Sequence, residues 1–209
     1  MLAREPFELD RHVDPGESVC VVHGAGARIT EALARAGIVS TFAGGRRVTS
    51  EDAIPLVREA FRRENAELCL RIGRRACGLM GDELGLEADP LPGFGHVGLL
   101  RPFVPPTLLG VLAAGRVPVI APLARGPLNV NADDAAAVLA VALGADRLVF
   151  VSDVPGVLVD GSVVPRLSLG EVAGLGDAVN GGMLPKLQAA AAAAREGIRA
   201  EVGLTEVVA

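Results

Sequence analysis

A single lysine, Lys186, stands in a chain that otherwise carries its positive charge on nineteen arginines. It lies in the segment NGGMLPKLQ, after the pair Gly181-Gly182 and inside a predicted helix that runs from Pro185 to Arg195. Backbone N–H groups at a glycine turn and a helix start can hold an anion. The compact ammonium charge of lysine suits an oxygen of a phosphate that is being transferred. The alternative interpretation is an ordinary surface lysine.

The segment LNVNADDAA places three polar side chains at alternate positions, Asn129, Asn131 and Asp133. Alternate side chains of an extended chain point the same way, so the three are expected to face one site. Asp133 also lies at the start of an alanine-rich helix predicted over 135–143. The alternative is that Asp133 or Asp134 serves only as the N-cap of that helix.

A glycine-rich turn, HGAGA, follows a short apolar run over 18–22 and precedes an amphipathic stretch over 29–36. This order predicts a strand, a tight turn and a helix. Glycines such as Gly24 and Gly26 let the backbone approach a ligand closely, and the helix start offers N–H groups to an anion. An ordinary strand-to-helix turn is the alternative, since the segment is neither a P-loop nor a dinucleotide-binding fingerprint.

Two neighbouring arginines, Arg46 and Arg47, follow the pair Gly44-Gly45. Arginine binds carboxylates through two parallel hydrogen bonds, which lysine cannot do. The pair therefore marks a candidate carboxylate site, and a solvated surface pair is the alternative.

Asp153 lies at the carboxyl end of a predicted buried strand in the segment DRLVFVSDV, two residues before a Pro155-Gly156 turn. Ligands of open α/β sheets bind outside the carboxyl ends of the strands, which makes this aspartate a candidate ligand contact. A simple turn aspartate is the alternative.

Apolar strands alternate with helices along the whole chain. Strands are expected in RACGLMG, HVGLLRPF, RVPVIAPL, DRLVFVSDV, IRAEVG and TEVVA, and PGVLVDGSVVPRLSL is expected to form a hairpin with Asp160-Gly161 at its tip. Further helices are predicted from the N-cap Ser50 to about Ile72, over 106–114 and over 171–179, and ARGPLNVNADD is predicted to be a loop. The alternation indicates an α/β fold with a parallel sheet that is covered on both faces.

The composition excludes several classes of protein. A net charge of -5 and a pI of about 5.3 provide no basic field for nucleic acid. No apolar run is long enough for a membrane span, and the segment MLAREPFELD has no signal-peptide core. The three cysteines have no C-x-x-C spacing and indicate buried, reduced thiols in a cytoplasmic protein.

Taken in order, these segments resemble the amino-acid kinase superfamily and, within it, most closely the N-acetylglutamate kinases. The resemblance covers nearly the whole chain from about Val19, and its most specific parts are the N-V-N-A-D and G-G-M-x-P-K blocks. It rests on the segments VVHGAG, GGRRVTSED, GHVGLLRP, GRVPVIAPL, LNVNADDAAAVLAVALGADRLVFVSDVPGVL, GGMLPK and TEVV.

The resemblance implies an α/β fold, a three-layer αβα sandwich with a mainly parallel central sheet whose amino-terminal part is truncated. It implies a single domain over 1–209, with a substrate-binding lobe over 1–143 and a nucleotide-binding lobe over 144–209. The implied reaction transfers a phosphoryl group from ATP, with Mg²⁺ carried by the nucleotide, to the side-chain carboxylate of N-acetyl-L-glutamate in arginine biosynthesis. The implied partners are a small-molecule substrate and a second copy in a homodimer, with no nucleic acid, membrane or protein-bound metal.

The resemblance also implies a role for each matching residue. Lys186 would bind phosphate and stabilise the charge on the transferring group, and Asp133 would orient the lysine side chains around it. Arg47 and Asn129 would hold the α-carboxylate of the substrate. The backbone N–H groups of Gly24 and Ala25 would face the reacting carboxylate. The residues Ser152, Asp153 and Gly182 would bind the nucleotide.

The family's opening strand, which carries K-x-G-G and a second catalytic lysine, has no counterpart in the 22 residues before His23. Two explanations are open: the reading frame begins upstream of Met1, or the chain is a shortened pseudokinase that binds its ligands without turnover. A kinase for a carrier-protein-linked aminoadipate or glutamate is a further alternative. Ala25 stands where the family has glycine, which would crowd the reacting carboxylate.

Overall fold

Strand β7 (Val117–Ala121) is the centre of a three-stranded parallel sheet in the computed structural model, which describes residues 16–159, 161–175 and 182–209. All five residues of β7 are buried, as expected for a strand covered on both faces. It pairs in parallel with β1 (Val21–Val22) on one side and with β4 (Ala76–Met80) on the other. The continuous apolar run of RVPVIAPL therefore predicted this strand correctly.

The helices that cover this sheet are α1 (Gly26–Arg35), α2 (Ile54–Ile72) and α4 (Pro106–Ala113). Helix α2 packs against β4 and β7 as well as against α1. It ends at Ile72 as predicted, but a 3₁₀ turn over 51–53 precedes it, and the Ser50 side chain makes no capping hydrogen bond. The core between these elements is apolar and includes Ile29, Leu33, Val57, Ala60, Phe61, Met80 and Leu123.

Three short antiparallel hairpins extend from the same unit. They are β2 (Thr41–Ala43) with β3 (Arg46–Val48), β5 (Ala88–Pro90) with β6 (Gly98–Leu100), and β8 (Leu123–Ala124) with β9 (Leu128–Asn129). The short helix α3 (Gly81–Leu84) follows β4. The prediction of a plain loop for ARGPLNVNADD was wrong, because this segment contains β9 and the start of helix α5 (Ala132–Leu143).

The second compact unit contains a four-stranded mixed sheet. Its strand order is β10 (Arg147–Phe150), β14 (Arg199–Val202), β15 (Thr205–Val208) and β13 (Arg166–Ser168). Strands β14 and β15 are antiparallel, and the two outer pairs are parallel. Helices α6 (Leu169–Leu175) and α7 (Met183–Arg195) belong to this unit, and buried alanines let α7 pack closely on β14.

The predicted hairpin of this unit is present as β11 (Leu158–Val159) with β12 (Ser162–Val163). Asp160 at its predicted tip lies outside the described residues, as do Gly181 and residues 176–179 of the predicted helix over 171–179. The segment after the hairpin does not continue it, because β13 pairs in parallel with β15 instead.

The two compact units divide between Ala135 and Ala136, inside helix α5. Four of the five strand pairs in the two larger sheets are parallel, which confirms an α/β fold with a mainly parallel sheet. All three cysteines are free thiols, but each is half-buried, so the prediction that they are buried was wrong. No helix among the described residues combines the length and the hydropathy that crossing a lipid bilayer requires.

Candidate active site

The turn between β1 and α1 presents unused backbone donors. His23 still belongs to the sheet, because its N–H donates to the carbonyl of Ile120 at 3.1 Å, and the first bond into helix α1 runs from Ile29 N to Ala25 O at 2.8 Å. Within the described part of the chain, the N–H groups of Gly24 and Ala25 donate to no acceptor. Gly24 also lies beside the start of helix α5, since a Cβ on it would be 3.6 Å from the Cβ of Ala132. The two helix starts concentrate positive dipole ends at one place.

A buried amide network holds this turn from behind. The Asn65 Nδ2 group donates to the carbonyl of Val119 at 2.8 Å and lies 3.0 Å from His23 Nε2. Because Nδ2 is the donor, Nε2 must be the unprotonated acceptor, and His23 Nδ1–H then donates to the carbonyl of Gly24 at 3.2 Å. His23 is therefore held as the neutral ring, and burial lowers its pKa, opposed by the Gly24 hydrogen bond and the charge of Glu64.

This histidine predicts a specific dependence of stability on pH. A neutral histidine with a lowered pKa contributes stability above the ordinary pKa of 6.5 and loses it as the pH falls through its folded value. Between these two pKa values, we expect the free energy of unfolding to fall by up to about 1.4 kcal/mol per pH unit more in the native chain than in His23→Gln. Glutamine keeps an acceptor for Asn65 but does not titrate. Urea unfolding at several pH values measures the difference.

Arg47 is a buried cation whose partners are all neutral. Only 7% of its surface is exposed, and its guanidinium donates to the hydroxyl of Ser40, to the carbonyl of Gly26 at 3.1 Å and to the hydroxyl of Thr30 at 2.9 Å. It also stacks on the ring of Phe42, 4.5 Å from the centroid. Burial lowers its pKa.

No carboxylate among the described residues contacts Arg47. The alternative of a solvated surface pair is wrong for this arginine. A buried guanidinium of this kind is an incomplete ion pair, and an anion from solution would complete it.

Thr49 joins Arg47 to the second predicted substrate contact. The Thr49 side chain is fully buried, and its hydroxyl donates to the carbonyl of Arg47 at 3.2 Å while accepting from Asn129 Nδ2 at 3.1 Å. Asn129 is 9% exposed, and its backbone N–H donates to the carbonyl of His96 at 2.9 Å. The Thr49 hydroxyl therefore joins the backbone of Arg47 in strand β3 to the side chain of Asn129 in strand β9.

The loop over 91–97 depends on a glycine at one point of this network. Gly95 has a φ of +70°, and a Cβ on it would overlap the carbonyl oxygen of Thr49. Gly93, two residues earlier, has a φ of +83° but open space around it. The two glycines share a backbone conformation and differ in their surroundings.

This difference gives a matched pair of substitutions. Gly93→Ala is expected to cost about 1 kcal/mol of unfolding free energy, from the positive φ alone. Gly95→Ala is expected to cost about 3 kcal/mol, because the overlap with Thr49 adds to the backbone strain. Urea unfolding of both variants measures the two costs. Equal losses would show that the loop does not press on Thr49.

The start of helix α5 is capped by Asn131, not by an aspartate. Asn131 Oδ1 accepts from the N–H groups of Asp133 at 2.9 Å and of Asp134 at 3.0 Å. The proposed N-cap role for Asp133 or Asp134 is therefore wrong. The predicted alternation does not extend to Asp133, because helix α5 begins at Ala132. The cap leaves both carboxylates in the first turn, where Asp134 accepts two hydrogen bonds from Arg46, at 2.9 and 2.7 Å.

The second compact unit holds the remaining predicted residues. Lys186 lies in the first turns of α7, with its Nζ 5.9 Å from the ring centroid of Phe150, the last residue of β10. Ser152 is half-buried and Asp153 exposed, and both follow the carboxyl end of β10. Gly182 is the exposed residue immediately before α7. The sequence profile of the amino acid kinase family matches residues 8–203.

The chain belongs to the amino acid kinase family. It is 41% identical over 205 residues to the acetylglutamate kinase of Rubrobacter xylanophilus, a match that covers 93% of this chain and 81% of the relative. The acetylglutamate kinase of Pseudothermotoga lettingae is 37% identical over 192 residues, with 86% of this chain and 69% of the relative covered. Among solved structures, the smu.665 protein of Streptococcus mutans UA159 superposes with a TM-score of 0.84 at 27% identity, covering 92% of this chain and 86% of that one.

The structure of this amino acid kinase groups the predicted residues by compact unit. Residues Gly24, Ala25, Arg47, Asn129 and Asp133 lie in the unit that ends at Ala135, and Ser152, Asp153, Gly182 and Lys186 lie in the other. The sequence did not indicate Thr49 or Phe42. The only signal for either was its closeness in sequence to Arg47.

Proposed function

We propose that the chain is an ATP-dependent kinase that phosphorylates the side-chain carboxylate of N-acetyl-L-glutamate and forms an acyl phosphate. The observation that carries the proposal is Arg47, a buried guanidinium with only neutral partners beside a helix start. The 41% identity to an acetylglutamate kinase gives the substrate class. The reaction would serve arginine biosynthesis.

Arg47 and Asn129 are the proposed contacts of the α-carboxylate. Burial of Arg47 lowers its pKa, which means that its environment disfavours the charge. A bound carboxylate would offset this cost through charge-assisted hydrogen bonds. The Thr49 hydroxyl bonds both the Asn129 amide and the backbone carbonyl of Arg47, so one buried side chain holds these two residues. This arrangement supports an acceptor that carries an α-carboxylate.

The turn at Gly24 and Ala25 is the proposed position of the reacting carboxylate. Its N–H groups are unused among the described residues, and the start of α1 adds a positive dipole end. These donors are built into the backbone and need no rearrangement during the reaction. Such preorganised donors stabilise charge that develops on the transferring group.

The nucleotide would bind at the second unit. Lys186 and the N–H groups at Gly182 suit phosphate oxygens, and Ser152 with Asp153 lies at the carboxyl end of β10, where ligands of α/β sheets bind. The acceptor carboxylate attacks the γ-phosphorus of ATP, a new P–O bond forms, and the bond to the β,γ-bridging oxygen breaks to release ADP. Asp133 is the other proposed catalytic residue, and Mg²⁺ would arrive with the nucleotide phosphates.

A hydroxamate assay tests the proposal. The chain, and the same chain with any upstream in-frame extension, is incubated with MgATP, hydroxylamine and one of two acceptors. N-acetyl-L-glutamate should give a hydroxamate. N-acetyl-L-glutamine, whose side chain ends in an amide instead of a carboxylate, should give no hydroxamate. The proposal fails if both folded proteins produce no hydroxamate. The homodimer and the cytoplasmic location stay predictions from the sequence.

A further inference from the structure

The β2–β3 hairpin carries Arg47 but has little support of its own. It is a two-stranded sheet with no third strand among the described residues, and the three residues of β2 are all exposed. Its turn is Gly44-Gly45, with φ values of +52° and +74°. An isolated two-stranded hairpin is marginally stable in water. Something outside the hairpin must hold Arg47 in place.

The ion pair of Arg46 with Asp134 ties the hairpin to the first turn of helix α5. Arg46 Nε and Nη2 donate to the same carboxylate oxygen at 2.9 and 2.7 Å. The two side chains are 30% and 23% exposed, less than those of the Arg101–Asp89 pair at 53% and 63%. Partial burial and two hydrogen bonds make such a pair more than a solvated surface contact.

The Arg46–Asp134 ion pair holds strand β3 at the residue next to Arg47. Neighbouring side chains of a strand point to opposite faces, so β3 is held on one face by Arg46 and on the other by Arg47. The Arg47 face is bonded to Gly26 and Thr30 of helix α1. Strand β3 is thus fixed between the starts of α1 and α5.

We propose that the Arg46–Asp134 ion pair is a positioning device that sets the guanidinium of Arg47 for the acceptor's carboxylate. This inference rests on the proposed function of Arg47. Neither Arg46 nor Asp134 touches the substrate in this account. Their effect reaches the substrate through the position of β3.

The first test is kinetic. In Asp134→Asn, the KM for N-acetyl-L-glutamate should rise about tenfold, as for the loss of a charge-assisted hydrogen bond, with kcat and the KM for ATP within about threefold of native. Arg46→Gln should behave alike. The double variant should be no worse than either single one, because both break the same contact.

Asp89→Asn is the matched control. Asp89 accepts two hydrogen bonds from Arg101, at 2.9 and 2.5 Å, in the β5–β6 hairpin of the same unit. Its removal breaks a hairpin ion pair of similar geometry whose two side chains make no hydrogen bond to strand β3 among the described residues. The KM for N-acetyl-L-glutamate should stay native. An unchanged KM in Asp134→Asn, or an equal rise in Asp89→Asn, would overturn the proposal.

Limited trypsin digestion tests the tie without any catalysis. Trypsin cleaves after arginine, so the peptide bonds after Arg46 and Arg47 report opening of the hairpin, and Asp134→Asn keeps both sites. Cleavage there should be about tenfold faster in Asp134→Asn than in the native chain or Asp89→Asn, as for the loss of one charge-assisted bond. An unchanged cleavage rate would show that the Arg46–Asp134 ion pair does not hold the hairpin. Faster cleavage in a chain that makes no hydroxamate would support the tie and reject the proposed function.

Discussion

Replacing Lys186 with methionine is expected to lower kcat for acyl-phosphate formation by at least ~100-fold, the scale for removing one donor from a developing charge. Methionine keeps a long unbranched side chain that can still pack on the ring of Phe150, which lies 5.9 Å from the lysine Nζ. The fold should survive, because Lys186 is only half-buried. Steady-state kinetics at saturating ATP and acceptor measures the loss.

Arg195→Met is the control for this substitution. Arg195 is exposed and is the last residue of the same helix α7. The variant therefore removes one positive charge from α7 at the end opposite to Lys186. Its kcat should stay within about twofold of the native value, as is usual for surface substitutions. Native turnover in Lys186→Met would contradict the assignment of this lysine to the phosphate site.

Arg47→Met is expected to lower kcat/KM for N-acetyl-L-glutamate by roughly 100-fold, with the KM for ATP unchanged, because a fully desolvated charge pair with the substrate is lost. The substitution leaves no buried carboxylate behind, since the described partners of Arg47 are neutral oxygens and the Phe42 ring. The protein should therefore stay folded. Thermal unfolding of the variant checks this directly.

A substrate analogue sharpens the test of Arg47. The α-amide of N-acetylglutamate keeps the reacting side-chain carboxylate but lacks the α-carboxylate. The native chain should use it about 100-fold less efficiently than N-acetyl-L-glutamate, and Arg47→Met should lose nothing further on it. An equal loss on both acceptors would place Arg47 away from the α-carboxylate.

The elements with long, regular patterns could be predicted from the sequence. The predictions of strand β7, from its unbroken apolar run, and of the long helix α2 with its end at Ile72 are both confirmed. The β8–β9 hairpin was missed, because strands of two residues show no alternation and the sequence between them is typical of a loop. Short hairpins are decided by tertiary contacts rather than by local preference.

The individual roles of the site residues were harder to predict. Asn131, Asp133 and Asp134 can all cap a helix, and the backbone alone decides that Asn131 does so. Arg46 and Asp134 are 88 residues apart in the chain, so their pairing has no local signal. The burial of Arg47 likewise depends on Ser40, Gly26 and Thr30 meeting around it.

Phosphorus NMR of the chain with MgATP and N-acetyl-L-glutamate is the most direct measurement of the proposed reaction. We predict a new acyl-phosphate resonance that grows at the same rate as ADP and is absent when N-acetyl-L-glutamine replaces the acceptor. The account would be contradicted if the folded chain, with and without an upstream in-frame extension, formed no acyl phosphate. It would also be contradicted if the amide acceptor gave the same resonance.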